Sequence, residues 1–499
     1  LTPNRSATSL RAAASHANAE SWLPTRYRIL TPGRAASPRR ASPIVAAIAV
    51  VGAIAALVLP HRQLGLGTFL VLASVCAVVA VADPRRRRPY HLASAALVLL
   101  LLCTLFLRAA EWLSVLCVLT AFVVGAASLG GARSVIGIIA STGLVPVGSV
   151  RGLPWLGRSV ARGRGARRWV PIVRTVLLSV VAVVVFGALF ASADALFARW
   201  VDALVPDMTL ADAPARAFAG LALAALTLAG VYAALNPPLV ERLVPPPGPP
   251  VARRFEWLVP VSLVVAVFGL FVTAQLTVMF GGHGYLRRTT GLTYAEYVHQ
   301  GFGQLTVATM LTLGVVALTA RKTSRAQARD RLLLRVVLGA LCVLTLVVVV
   351  SALSRMHVYE EAYGFTRLRL LVSFFEGWLG LVVVLVVAAG VRLSGRWVPR
   401  AALLSGASAL VVLAALDPDA YIAERNIARY ESTGKIDWHY LSQLSDDATP
   451  VLAELPAEVR GCATVPPAEV GDWLSWNLGR ARASEVWNAG LDSGAVCAS

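Results

Sequence analysis

Charge is what this sequence has little of. Asp, Glu, Lys and Arg make up 15% of its 499 residues, where a soluble domain carries about 25%. Lysine is nearly missing: Lys322 and Lys435 are the only two, and Arg supplies the rest of the 46 basic residues. There is no GxSxG, no P-loop and no GxGxxG in a strand–helix context, which excludes the commonest hydrolase, nucleotide and dinucleotide signatures. The seven histidines show neither HExxH nor HxxxH spacing, so no metal and no other cofactor is expected. The apolar/polar alternation that builds a membrane β-barrel is also missing.

What the chain has instead is apolar length. Hydrophobic residues make up 57% of it, and many runs reach or approach the ~18–20 residues that cross a bilayer as a helix. Lipid cannot satisfy backbone N–H and C=O groups, so spans without barrel alternation must be helical. The fold class is therefore all-α: a polytopic helical membrane protein with about 11 transmembrane helices and a small helical extracytoplasmic C-terminal tail. The runs fall near 44–60, 64–82, 91–107, 111–129, 175–193, 216–235, 257–280, 302–320, 333–353, 370–392 and 400–416. The segment 134–150 is less apolar and holds Gly137, Gly143, Pro146 and Gly148. It reads as interfacial or re-entrant.

The formal net charge is +19, and the basic residues sort by loop. Lys and Arg accumulate in cytoplasmic connections. With the N-terminus inside, Arg85–Arg88, the cluster from Arg133 to Arg174 and the cluster from Arg321 to Arg335 all fall inside. Most loop acids, including Glu111, Asp194, Asp202, Asp207, Asp212, Glu296, Glu360 and Glu361, fall outside. The expectation is a plasma-membrane protein with a cytoplasmic N-terminus and an extracytoplasmic C-terminus. The basic clusters then set topology and attract anionic lipid headgroups, so membrane lipids are the expected partners and nucleic acid is not.

Five segments follow. Residues 1–43 are a disordered basic cytoplasmic arm, 44–235 a first bundle of about six helices, and 236–256 a Pro-rich linker. Residues 257–416 are a second bundle of about five helices, and 417–499 the helical tail. Cys76, Cys103, Cys117 and Cys342 lie in apolar runs, while Cys462 and Cys497 both lie in the tail. In an extracytoplasmic tail these two could be bridged or could remain thiols. Within the tail, Asp417 is placed to cap one helix, Gly434 to end it, Asp437 to cap the next and Ser445 the one after.

Polar chemistry concentrates at 354–370, SRMHVYEEAYGFTRLRL, between two apolar runs. Arg355, His357, Glu360, Glu361, Tyr363, Arg367 and Arg369 lie there, and Glu376 follows inside a span. An ionisable residue at membrane depth is costly and faces a partner or a cavity. Two readings stand side by side. In one, Arg367 and Arg369 bind an anionic lipid or envelope ligand in an outward-facing pocket while Glu376 or Glu360 handles a proton or cation. In the other, Arg369 pairs with Glu376, seven residues on, to fix helix packing, and the tyrosines anchor the interface. The loop 281–303 adds His283 and His299 on the same expected side.

Two stretches carry a family resemblance: YGFTRLRL at 363–370, and DAYIAERNIARYESTGKIDWHYLSQLSDDATPVLAEL at 419–455 followed by WNLGRARA at 476–483. They resemble a family of bacterial multi-pass membrane proteins defined as a domain of unknown function. Asn426, Arg429, Gly434, Asp437, Tyr440, Leu441, Leu444, Ser445, Asp447 and Pro450 match its tail pattern. The resemblance implies architecture and no activity. Three functions remain open: a transporter or lipid-translocating protein, a sensor or scaffold that docks partners on the outer loops and tail, and a membrane enzyme acting on an envelope lipid or glycan.

Overall fold

The computed structural model describes residues 38–161, 186, 189–190, 193–194, 212–246, 253–290, 302–468 and 471–489. Most of the run expected at 175–193, all but 186, 189–190 and 193, and almost all of the basic arm therefore lie outside the described residues. Among those residues there is no strand, and nine helices are long and apolar enough to cross a membrane. Two shorter apolar helices accompany them. The protein is an all-α, multi-pass membrane protein. Its residues divide into two compact units, one of Leu1–Val244 with Pro467–Glu485 and one of Pro245–Pro466 with Val486–Ser499.

In the first unit the helices are α1 (Pro38–Val58), α2 (Leu66–Ala82), α3 (Pro89–Leu107), α4 (Glu111–Gly130), α5 (Val135–Ala161) and α6 (Ala213–Leu235). Helices in lipid approach closely where their facing residues are small. Gly52 of α1 meets Gly220 and Ala224 of α6 in this way: a Cβ on Gly220 would stand 2.8 Å from the Gly52 carbonyl oxygen and 3.0 Å from the Ala56 methyl. At one end of the unit, Asp83 binds Arg85 at 3.0 Å and His91 at 3.3 Å. There too the Glu241 carboxylate accepts the Arg133 and Ser134 amides that start α5, at 2.6 and 3.1 Å. A carboxylate at a helix N-terminus answers its unpaired N–H groups.

The segment 134–150 is not broken by its glycines and proline. It forms one continuous helix, α5, through Pro146 and Pro154. Length and composition make α5 a candidate span. Its packing adds a qualification. Gly152 lies against Leu228, and Trp155 shares a cluster with Ile48, Ala82, Leu228 and Val231. All of these lie in the half of α1, α2 and α6 nearest the Glu241 end, so the described part of α5 does not reach the opposite end.

At that opposite end the C-terminal segment returns. Arg62 binds Asp472 through Nε at 2.8 Å and Nη2 at 2.6 Å. Asn477 Nδ2 donates to the carbonyls of Leu105 at 3.1 Å and Arg108 at 2.8 Å, and Leu66 N–H donates to Trp476 O at 2.9 Å. Burial alone would raise the Asp472 carboxyl, but Arg62 and the Ser475 amide hold it below its ordinary value.

The second unit holds α7 (Phe255–Thr290), α8 (Phe302–Lys322), α9 (Ala328–Tyr363), α10 (Arg367–Arg392) and α11 (Val398–Ala415). Short tail helices follow: α12 (Pro418–Thr433), α13 (Trp438–Ser442), α14 (Thr449–Leu452) and α15 (Ala457–Ala463). The last helix, α16 (Leu478–Asn488), begins within the first unit. Trp257, Val261, Val316, Leu334, Leu338, Leu341 and Val383 join α7, α8, α9 and α10 in one core. Ala423, Leu441, Ala448, Leu452 and Leu455 form a separate core within the tail.

Two sequence expectations change here. The 354–370 stretch is not a loop, since residues up to Tyr363 continue α9 without a break. Thirty-six residues at 1.5 Å each make a helix of about 54 Å, longer than a hydrocarbon core of about 30 Å. The loop expected from 281 is likewise helical as far as Thr290, as the end of α7. In the tail, Gly434 ends α12 with φ 68 and Asp437 caps α13 by accepting the Tyr440 amide. Asp417 holds the N-cap position of α12 without a side-chain cap bond, as does Ser445 ahead of 446–448.

Candidate functional site

A helix that ends leaves its last carbonyls unpaired, and the next leaves its first amides unpaired. Between α9 and α10 only Gly364, Phe365 and Thr366 intervene, so both sets of orphan groups crowd into one tight turn. Gly364 has φ 87, a left-handed value that glycine adopts without strain. The Thr366 hydroxyl accepts the Arg369 amide at 3.3 Å and caps α10.

The rest of the turn is satisfied from the tail. Asn426 Oδ1 accepts Phe365 N–H at 3.0 Å, and its Nδ2 donates to Phe365 O at 2.9 Å. The amide side chain thus pairs with a backbone residue as a strand neighbour would. Arg429 donates to the carbonyls of Glu361 at 3.0 Å and Ala362 at 2.7 Å, which closes the C-terminus of α9. The Tyr440 hydroxyl accepts the Arg367 amide at 2.7 Å. Asp419, with 0% of its surface exposed, takes the Arg367 guanidinium in a two-pronged pair at 2.9 and 2.5 Å, and also accepts the Ser445 amide at 2.9 Å. Residues 419, 422, 426 and 429 share one face of α12, and the buried Ile422 lies among the polar three.

The electrostatics follow. Burial would raise the Asp419 carboxyl, but the hydrogen bonds and charge of Arg367, with those of Ser445, hold it below the ordinary value of 3.8. Burial pushes the Tyr440 hydroxyl up, and the Arg367 amide and charge offset only part of that.

Glu376 lies apart from this clamp. It is 0% exposed in the middle of α10. Its Oε2 accepts the Thr306 hydroxyl of α8 at 2.8 Å, and its Oε1 has no hydrogen-bond partner among the described residues. One turn earlier on α10, Ser373 donates to buried Glu360 of α9 at 3.4 Å. Gln275 of α7 accepts from Ser351 at 3.2 Å and Arg355 at 2.5 Å. Three polar contacts, α8 with α10, α9 with α10 and α7 with α9, therefore lie inside the apolar second unit.

The candidate residues of the sequence separate into these groups. Arg367 belongs to the clamp. Arg369 lies 4.5 Å over the Tyr359 ring and donates to the carbonyls of Tyr363, at 3.0 Å, and Gly364. Among the described residues no ion pair joins Arg369 to Glu376. The arginines proposed as anion binders thus have protein partners. Tyr363 packs on Tyr359 with ring centroids 4.8 Å apart. His357 pairs with Glu361 at 3.2 Å on a surface where both side chains are more than 60% exposed. The His283 side chain and all of His299 and Cys497 lie outside the described residues. Cys462 is disulfide-bonded, while Cys76, Cys103, Cys117 and Cys342 are free. No group of three His, Cys, Asp or Glu suited to a metal occurs among the described residues.

Sequence reasoning passed over Asp419. The signal was there: Asp, Asn and Arg at 419, 426 and 429 repeat at helical spacing on the face of a buried isoleucine, where solvent-facing polar residues are not expected. Thr306 carries no such signal in the sequence, because its partner is on another helix.

No curated protein and no solved structure matches the chain. A family model described as a domain of unknown function (DUF4153) matches residues 95–455, a range that contains both the α9–α10 turn and the helix that clamps it. The chain is a member of this DUF4153 family.

Proposed function

We propose that the protein is a plasma-membrane transporter, or a lipid-translocating protein, whose pathway runs through the second unit. The observation that carries this reading is Glu376, a wholly buried carboxylate at the middle of a span with one oxygen left open. Such a group is expensive in an apolar setting and is kept where it handles an ion or substrate. Ser373, Glu360 and Thr306 continue the polar line from it. Arg367 and Arg369 are not the ligand-binding groups of this reading, because both are engaged in holding the turn.

The orientation proposed with it has a cytoplasmic N-terminus and an extracytoplasmic tail. It is supported within the first unit, where Arg85 and Arg133 lie at the Glu241 end and the Asp472 segment docks at the other. Under the positive-inside rule the basic end faces the cytoplasm, with anionic lipid headgroups as its partners.

The test is water access. Thr306→Cys and Ser373→Cys are introduced singly into a chain whose four free cysteines are replaced by Ala. Charged, membrane-impermeant thiol reagents are then applied from each side. The expected result is labelling of both positions, and failure of both from both sides removes the pathway. A second reading, a sensor or scaffold that presents the tail, is favoured by the close clamping of α12 onto the α9–α10 turn.

A further inference from the structure

We propose that Glu376 is a proton-binding site, its Oε1 holding an exchangeable hydrogen while Oε2 stays on Thr306. The inference deepens the transport reading by naming the coupling ion, and rests on that reading for the use to which the proton is put.

The argument begins with charge. A carboxylate taken out of water needs a counter-charge or a proton. The helices packed against α10 offer Glu376 no cation. From α8 come Thr306 and Thr309, while Arg321 and Lys322 lie in its last turn. From α9 come Glu360, on Ser373, and Arg355, on Gln275; His357 pairs with Glu361, and Asp330 pairs with Arg254 at the far end of the helix. Helix α11 carries Arg400 in its first turn, and α12 brings Asp419, already on Arg367. On α10 itself, Arg367 and Arg369 are seven or more residues away, about 10 Å or more along the axis, and both are engaged. Among the described residues no ion pair reaches Glu376.

The second step is coordination. A hard cation gathers many oxygens, about 6–8 for calcium and six for magnesium. Here the gathered oxygens are those of one carboxylate and the hydroxyls of Thr306 and Thr309, fewer than either shell requires. A proton needs a single open oxygen, and Oε1 is one. The third step is position. Ser373 and Glu360 stand a turn away toward the clamped turn, so a second carboxyl lies along the same face to receive or supply the proton.

The probe is a hydrophobic carbodiimide, which adds to a protonated carboxyl in apolar surroundings. The full chain in lipid vesicles is treated across a pH series, and adducts are located by mass spectrometry. The expected result is an adduct at Glu376 that falls about tenfold per pH unit above its titration midpoint, with no protection by sodium. Glu376→Gln abolishes the adduct, and Thr306→Val shifts the midpoint while leaving the adduct in place. Absence of an adduct at Glu376 at every pH overturns the proposal, as does protection by sodium, which would make the site one for an alkali cation. The labelling of the native chain decides this whether or not either variant folds. Proton-dependent labelling with no thiol access at Thr306 or Ser373 would leave this site standing and remove the transport reading.

Discussion

At the scale of single residues, Arg367 and Asp419 show how a charge inside an apolar protein is made tolerable. The guanidinium is planar and matches a carboxylate with two parallel bonds, and the fully buried Asp419 also accepts the Ser445 amide. Asp419→Asn keeps the shape and removes the charge. It is expected to destabilise the clamp by about 1.5–3 kcal/mol, the worth of a hydrogen bond to a charged group, read as faster amide exchange across α12 and α13 with the spans unchanged. The pH dependence has a definite direction. The folded-state value of Asp419 lies below 3.8, so its contribution is fully present above that value and fades as pH falls below it. The tail is expected to stay clamped at mildly acidic pH and to loosen only in stronger acid, which limited proteolysis at stepped pH would follow. Loosening already at pH 6 would contradict this assignment.

The residue scale also marks what the sequence could and could not disclose. Arg369 and Glu376 are seven apart and share a helical face, but seven residues are about 10 Å along the axis, too far for contact. The partners that each finds, Tyr359 and Thr306, come from other helices, and spacing within one helix carries no record of them. The loop placement of Glu360 and Glu361 changes for a related reason. Their charges look like a loop in a membrane sequence, yet His357 with Glu361 and Tyr359 with Tyr363 are i,i+4 pairs that stabilise a helix.

At the scale of elements, the apolar runs were legible because length alone identifies them, and most described helices coincide with an expected run to within a few residues. Helix α5 was less legible. Pro146 and Pro154 each remove one backbone donor, but neighbouring turns can re-satisfy the freed carbonyls, so punctuation that would end a soluble helix does not end this one. Pairing between elements was not legible at all, and α1 with α6 is the clearest case. Their contact depends on Gly52 and Gly220 having no side chain. Gly220→Leu is expected to force the two helices apart at a cost of about 1–3 kcal/mol, the usual penalty for overpacking. The check is the thermal unfolding midpoint in detergent beside Gly269→Leu, a glycine with open space around it. Equal shifts in the two variants would remove the packing explanation.

At the scale of the whole molecule, the tail divides its contacts: Asp419, Asn426 and Arg429 hold the second unit, and Asp472, Asn477 and Arg480 hold the first. The chain passes from one set to the other between Pro466 and Pro467. Arg62→Ala together with Asp472→Asn is expected to free the 471–488 stretch to proteolysis while α12 stays protected. Release of both together would mean that the two attachments are one cooperative unit.

The Arg62–Asp472 contact also has a consequence in time. Its partners are 410 residues apart in sequence, and at about 5–20 residues per second of synthesis the interval is roughly 20–80 s. For most of it, the Leu105 and Arg108 carbonyls that Asn477 will satisfy stand without that donor. The first bundle is inserted early and sealed late, so a ribosome that stalls anywhere in the second unit leaves it in the membrane with this end unsealed.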